Sequence, residues 1–252
     1  DFLARGEVQP YVSREIEALP AWSRPAPGLY TISASPAIIM YNRLLVKTPP
    51  ESIRDIAAMA KADPQGMKGK ISTYDAAANP FGLAMFATWL EGTGNTWATL
   101  EAIGPLTRPE TGGGVQREKA TTGEYKVAFF ANSVSLIGLE RPEVKKLVGW
   151  SYVKDGAPIS LQGAVVTKAA KSPHSARIVL DLMLSREGQR ALAMTGLTPY
   201  RDDVAQEGLP YNTLKTAREQ IGEKNLIYYS YDRAKLAAWP EVAKRWKTVF
   251  KP

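Results

Sequence analysis

The residues best suited to chemistry in this chain are small and polar, and they cluster where strand patterns give way to helical ones. Three stretches carry them: Thr73 to Asn79, Thr111 to Gly114, and Asn132 to Ser135. A helix N-terminus offers unpaired N–H groups and a partial positive charge. Two strand–loop–helix units with small polar loops therefore form a natural cradle for an anion. Thr73, Ala78, Asn79, Gly112 and Gly113 would line it, with Asn132, Ser133 and Ser135 adding amide and hydroxyl donors. The same residues also suit structural work, because Asn79 is a good N-cap and the glycines are good turn formers. On spacing alone both readings stand.

Catalytic constellations are scarce. The 252 residues include no cysteine and one histidine, His174. Thiol nucleophiles, disulfides, Cys-containing zinc sites and multi-His metal sites are thereby excluded. His174 follows Pro173 at a helix start, no Gly-x-Ser-x-Gly turn exists to partner it, and it reads as a surface histidine. Gly66 to Ile71 resembles a phosphate-binding loop, but Ile71 stands where Ser or Thr must reach magnesium. Gly92 to Trp97 lacks the third glycine of a dinucleotide fingerprint and follows a helix; both segments read as turns. Asp202 and Asp203 are adjacent, so their side chains diverge, and they make no acid/base pair. The expectation is a protein without catalysis, resident metal or cofactor.

The net charge of +7 comes from 32 basic and 25 acidic residues scattered among one another. The densest basic group, Lys244, Arg245, Lys247 and Lys251, surrounds Trp246 on a helical pattern and reads as a solvated face, so no nucleic acid is expected as a partner. The longest apolar runs, such as Ala37 to Met40 and Val127 to Ala131, fall far below the roughly 18 residues of a spanning helix. The chain opens Asp1-Phe2-Leu3 with neither an initiator Met nor a signal segment, as a processed or trimmed chain would.

The elements that must position the polar loops alternate. Phe2 to Arg5, stopped by Gly6, reads as the end of a helix, and Leu29 to Tyr41 as one buried strand. Ile53, Ile56, Ala57 and Ala60 recur at helical spacing after Pro49-Pro50-Glu51-Ser52. Lys68 to Thr73 is a predicted strand, Tyr74 to Ala78 a loop, and Asn79-Pro80 the start of a helix to Leu90. Gly112 to Gly114 opens a helix ending near Gly123, and Tyr125 to Ala131 is a strand. Ala164 to Val166 is a strand, Pro173 begins a helix with Ala176, Val179, Leu180 and Met183 on one stripe, and a further helix runs from Ser185 to Gly196. The last helix is expected over Asp232 to Phe250, burying Leu236, Val242, Trp246 and Val249. This alternation is the pattern of an α/β fold with largely parallel sheet.

Six stretches in order carry a family resemblance: Ala37-Ile38-Ile39-Met40-Tyr41-Asn42, Pro50 to Ile56 and Lys68-Gly69-Lys70-Ile71, then Gly123 to Ala128, Gly163 to Ala176 and Leu184 to Gln189. Together they resemble the ferric-iron-type family of periplasmic solute-binding proteins of ABC importers. Gly123-Glu124-Tyr125-Lys126-Val127-Ala128 is similar to that family's Gly-Glu-x-Pro strand, with Lys126 in place of the usual proline.

The resemblance implies a type II periplasmic binding protein fold, two α/β lobes joined by a hinge, with the first lobe incomplete in this chain. Residues 1–35 and 163–220 would be the remainder of the N-terminal lobe, and 36–162 and 221–252 the C-terminal lobe. Iron-binding members place adjacent tyrosines after the Gly-Glu strand in an Asn-x-Tyr-Tyr pattern, phenolates being hard donors for ferric ion. Here that pattern falls on Asn132-Ser133-Val134-Ser135: the asparagine remains and both tyrosines are gone. Tyr228-Tyr229 reads as packing, because successive strand side chains point to opposite faces. What the family uses for a synergistic anion matches Ala78-Asn79, Gly112-Gly113 and Asn132. The resemblance thus implies a monomeric, periplasmic component of an ABC importer. It would capture a small anion (phosphonate, phosphate ester or carboxylate) by hinge closure of its lobes and deliver it to the membrane permease. A ferric or ferric-chelate cargo is the alternative, and a ligand-sensing domain of a transcription regulator is the alternative from another class.

Overall fold

The computed structural model describes residues 2–250. Its strands are β1 (Leu29–Pro36), β2 (Ile38–Asn42), β3 (Ile71–Tyr74), β4 (Thr107–Glu110), β5 (Val127–Ala131), β6 (Val148–Tyr152), β7 (Ala157–Val165) and β8 (Leu226–Tyr228). The helices up to β6 are α1 (Ile53–Ala62), α2 (Pro64–Met67), α3 (Pro80–Leu90), α4 (Trp97–Ile103), α5 (Gly113–Thr122), α6 (Ser135–Leu139) and α7 (Pro142–Lys145). Those after it are α8 (Pro173–Leu184), α9 (Arg186–Ala193), α10 (Leu214–Ile221), α11 (Arg233–Ala237) and α12 (Trp239–Val249). The chain divides into two compact units, one holding residues up to Ser35 and Leu161–Ala217, the other Pro36–Ser160 and the chain from Arg218 onward.

The second unit is built on a five-stranded sheet in the order β4-β3-β5-β2-β6. β3 runs parallel to both β4 and β5, while β2 is antiparallel to β5 and β6. The C-terminal ends of β4, β3 and β5 therefore point the same way, and each leads into a helix: β3 into α3, β4 into α5 and β5 into α6. That end of an α/β sheet is where ligands are usually held. The Lys126 N–H donates to the Lys70 carbonyl at 2.8 Å, tying the entry of β5 to that of β3, a bond no proline could make.

A cluster of aromatic rings fixes α3, β5 and the last helix to one another. Phe86 is fully buried, with ring centroids of Phe130 at 5.0 Å, Phe250 at 5.1 Å, Phe129 at 5.9 Å and Trp246 at 6.0 Å. All four meet it edge-on or nearly so, the arrangement that ring quadrupoles favour.

The edge strand β4 is held by a carboxylate. Glu110 at its end accepts hydrogen bonds from Lys119 of α5, at 2.8 Å, and from the hydroxyl of fully buried Tyr125. Burial alone would raise the Glu110 pKa, but those two bonds and the charges of Lys119 and Arg108 outweigh it and hold the carboxyl below its ordinary value.

In the first unit, Arg201 is buried in a two-point pair with Asp203, at 2.8 and 2.6 Å, and also reaches Glu15 and the Leu184 carbonyl, both at 3.0 Å. Asp203 is thus Arg201's counter-ion, and Asp202 is exposed. Phe2–Glu7 forms a reversal closed by Gly6 N–H to Leu3 and Glu7 N–H to Phe2, the bonding of a helix terminus.

Several expectations need correction. The run from Leu29 to Tyr41 is two strands, because the chain breaks step at Ala37, whose amide donates to Pro158. β7 begins at Ala157, well before the predicted Ala164, its first residues pairing with β8. The last helix is broken into α11 and α12 at Ala238, because Pro240 has no N–H to continue the first of them. Trp246 and Val249 are buried as expected, but Leu236 and Val242 are only half-buried. Lys244, Arg245 and Lys247 are exposed, and Lys251 lies outside the described residues. On α8, Leu180 is buried but Val179 is 49% exposed. The helix is rotated because Asp181 is drawn inward by the hydroxyls of Tyr11, at 2.7 Å, and Ser13, at 2.6 Å.

Phe86→Ala is expected to lower unfolding free energy by about 3–5 kcal/mol, the usual cost of removing a buried Phe; denaturant unfolding measures it. The Glu110 contribution is fully present above the ordinary glutamate value of about pH 4.3 and is lost as pH falls through the depressed folded value. Glu110→Gln should therefore destabilise more at pH 7 than in acid, the gap to the parent narrowing as pH falls below the ordinary glutamate range; melting curves across that range check it.

Candidate functional site

The end of β3 starts the site. Thr73 is fully buried, and its hydroxyl donates to the Phe129 carbonyl of β5 at 3.3 Å. Tyr74, the last residue of β3, packs its ring edge-on against Phe81 at 5.1 Å. A Cβ on Gly82 would lie 2.7 Å from the Tyr74 Cβ, so the first turn of α3 approaches this closely only with glycine. The Tyr74 hydroxyl accepts from the Gly113 N–H at the start of α5, and burial pushes its pKa up, so it keeps its proton.

The two long helix N-termini at this end are treated differently. That of α3 is capped by its own loop: the Asn79 side-chain oxygen accepts from Phe81 N–H at 2.9 Å and Gly82 N–H at 3.2 Å. Ahead of it, the Asp75 carboxylate accepts from the Ala77 and Ala78 amides at 2.8 and 3.2 Å, and the Asp75 carbonyl takes the Asn79 amide at 2.7 Å. α5, by contrast, begins at Gly112 with no side-chain cap. A Cβ added to Gly112 or Gly114 would meet nothing within 4 Å, so the space over this terminus is open. Apart from the Gly113 amide, which Tyr74 takes, its first-turn amides and the positive end of its dipole face that space.

The third connection closes the group. The Asn132 side-chain oxygen accepts from the Ser135 amide at 3.3 Å and hydroxyl at 3.2 Å. A Cβ on Gly113 would sit 2.8 Å from the Tyr74 hydroxyl and 3.0 Å from the Ser135 hydroxyl. Asn79 also donates to the Thr111 carbonyl at 3.1 Å, joining the first loop to the second.

Of the residues singled out by sequence, Gly113, Ser135 and Asn132 are thus brought together, Gly112 opens the same helix, and Asn79 holds the neighbouring loop. Ser133 and Ser135 are buried, and Ala78 is exposed with its amide turned to Asp75. Sequence reasoning missed Tyr74 and Asp75; the signal available was their position, at and just beyond the end of the strand that precedes Asn79-Pro80.

Asn132-Ser133-Val134-Ser135 offers no phenol, and no group of three His, Asp or Glu side chains suited to a metal ion occurs among the described residues. Tyr229 donates its amide to Ile159, and its ring packs against Tyr231 at 4.9 Å and Trp239 at 5.6 Å. Burial pushes its phenol pKa up, the wrong direction for a phenolate ligand. His174 is exposed on α8. A separate depression of about 450 Å³ is bordered by Arg54, Asp155 and Lys224. Its polar groups hold loops together: Asp155 accepts from the Ile53 and Arg54 amides that open α1, and Asn95 joins Trp89, Asp155 and Arg54.

Comparison with known proteins finds a family model described as bacterial extracellular solute-binding protein matching residues 25–198. Among curated proteins no relative is found. The fold is similar to that of the substrate-binding protein of an ABC transporter from Agrobacterium tumefaciens, with TM-score 0.83, 19% identity, 99% of this chain covered and 74% of that one. It is similar also to the periplasmic binding protein AfuA of Actinobacillus pleuropneumoniae, solved with fructose-6-phosphate bound, with TM-score 0.72, 16% identity and coverage of 100% and 79%. Iron-bound HitA from Pseudomonas aeruginosa matches with TM-score 0.70, 17% identity and coverage of 96% and 78%. No helix among the described residues is long and apolar enough to cross a membrane.

Asn79→Ala is expected to cost about 1 kcal/mol of stability through loss of the α3 cap, and Asn79→Ser to restore most of it. Thermal unfolding of the pair checks this.

Proposed function

The chain belongs to the bacterial extracellular solute-binding protein family, and from that premise we propose that its cargo is a small oxyanion. Phosphonate, phosphate ester or carboxylate groups are the candidate classes. The protein would take up such a solute outside the cytoplasm, as a monomer, and deliver it to the permease of an ABC importer without altering it chemically.

The observation that carries this reading is the uncapped N-terminus of α5. It is glycine-lined, open, and flanked by Tyr74 and Ser135, whereas α3 beside it is closed by Asn79. An oxyanion placed there would receive main-chain N–H groups and hydroxyls, a donor set that needs no charged side chain. A protonated Tyr74 supports the same reading, since its O–H can donate onward while its oxygen takes the Gly113 amide. The ferric alternative would need phenolates where Val134 and Ser135 stand.

Natively purified protein, examined by mass spectrometry and then by thermal shift against inorganic phosphate, methylphosphonate and small carboxylates, tests the proposal. A bound oxyanion, or stabilisation by one class of about 2.7 kcal/mol at a hundredfold excess over Kd, is the expected result. Gly113→Ala, whose methyl would press on both hydroxyls, should weaken that binding at least tenfold. A visible tyrosinate–iron absorption on adding ferric salt, or silence across the whole panel, would overturn the oxyanion assignment.

A further inference from the structure

β5 carries one residue more than β2 across the same stretch. Met40 pairs with Ala128 and Tyr41 with Val127, yet Ile38 pairs with Ala131. Within this bulge Phe130 adopts φ 62°, the one left-handed conformation among the described non-glycine residues. A residue with a Cβ resists that region, so the surroundings must impose it. They do so through packing: the Phe130 ring is fully buried, 5.0 Å from Phe86, 5.0 Å from Phe129 and 6.4 Å from Trp89. From the neighbouring strand, Thr73 holds the Phe129 carbonyl at 3.3 Å.

Two consequences follow from strand geometry. Successive side chains of a regular strand point to opposite faces, but Phe129 and Phe130 both meet Phe86, at 5.9 and 5.0 Å. The bulge is what puts two consecutive rings on one side. It also shifts the phase of everything after it by one residue, so Asn132 leaves the sheet on the side opposite to that of an unbulged strand. On its actual side Asn132 accepts from both the amide and the hydroxyl of Ser135, and Ser135 borders Gly113 at the opening of α5.

We propose that Phe130 is the positioning residue of the oxyanion site: its left-handed backbone, locked by the surrounding rings, aims the loop after β5 so that Asn132 and Ser135 meet the N-terminus of α5. The ligand side of this inference rests on the oxyanion reading; the loop geometry is measurable without any ligand.

The test compares Phe130→Gly with Phe130→Val in the full chain. Both lose the ring and melt lower, but glycine accepts the left-handed backbone and a β-branched valine does not. In amide NMR spectra the Gly variant should keep the Gly113, Asn132 and Ser135 resonances close to the parent and bind inorganic phosphate within about threefold of it. The Val variant should displace those resonances and bind phosphate at least tenfold more weakly. Equal displacement in the two variants, or none in either, overturns the proposal. Should the Val variant not fold, Phe86→Leu loosens the lock without touching β5; movement of the same three resonances supports the proposal and their constancy overturns it. If the parent itself ignores phosphate, the oxyanion reading fails, while the spectra still decide the role of Phe130.

Discussion

The packing of aromatic rings around Phe86 is the interaction on which the rest of the second unit depends. It joins three pieces distant in sequence: α3, the strand β5 and the terminal helix α12, whose Trp246 and Phe250 stack at 5.0 Å and 13°. Buried aromatic pairs stabilise beyond the area they bury, by about 0.5–1.5 kcal/mol each. A cluster of this kind can therefore sustain a left-handed Phe130, which costs on the order of 1–3 kcal/mol. The strain sits two residues before Asn132. The core thus does more than stabilise the unit, because the direction in which the polar loop leaves the sheet is set by hydrophobic packing behind it.

Electrostatics divides the remaining work between two helix ends. Both α3 and α5 begin at the C-terminal edge of the sheet, and both bring unpaired amides and a partial positive charge. In α3 those amides are taken by Asn79, with Asp75 occupying the loop amides ahead of them. That end is rigid and locally neutralised. In α5 the glycines carry no side chain that could fold back, and the charge stays available. One helix holds the frame and its neighbour keeps open valence, with the Asn79 to Thr111 bond fixing the spacing between them. The overall charge of +7 has little part in this, because the long-range field matters less than where donors are left unpaired.

How much of this was legible in the sequence varies with the range of the interaction concerned. Asn79-Pro80 as a cap and first turn, Gly112 to Gly114 as a helix opening and Gly123 as its stop are local signals, and the structure has α3, α5 and a left-handed Gly123 at those places. The break between β1 and β2 was not legible, because a run of apolar residues reads alike whether one strand or two strands cross the core. The rotation of α8 was hidden for a related reason: Asp181 turns inward only because Tyr11 and Ser13, some 170 positions away in the chain, come to meet it. Within the site, the glycines and Asn132 stood out by type, whereas Tyr74 looked like an ordinary strand residue. Its role depends on Gly113 and Phe81 arriving from other elements, which no spacing in one segment could announce. The bulge was equally silent, since Phe129-Phe130 is compatible with a regular strand buried on both faces.

Tyr74 bears on the proposed oxyanion reading of a frame similar to that of iron-bound HitA. A tyrosine ligates a hard cation as phenolate, which requires its pKa to fall; burial without a nearby positive side chain pushes it the other way. Tyr74 is buried at the end of β3, and burial is the largest influence on its hydroxyl, with the Gly113 amide opposing it only in part. The protonated form is a donor and an acceptor at once. It can therefore take the Gly113 N–H and still present a proton toward the open end of α5, where a phenolate would repel an oxyanion. Val134 and Ser135 stand where the Asn-x-Tyr-Tyr pattern has its phenols, and the side chains beside Gly113 at the opening of α5, Tyr74 and Ser135, are neutral. In the proposed oxyanion site the α5 amides not taken by Tyr74 would supply the positive potential, and the bordering hydroxyls would orient the ligand.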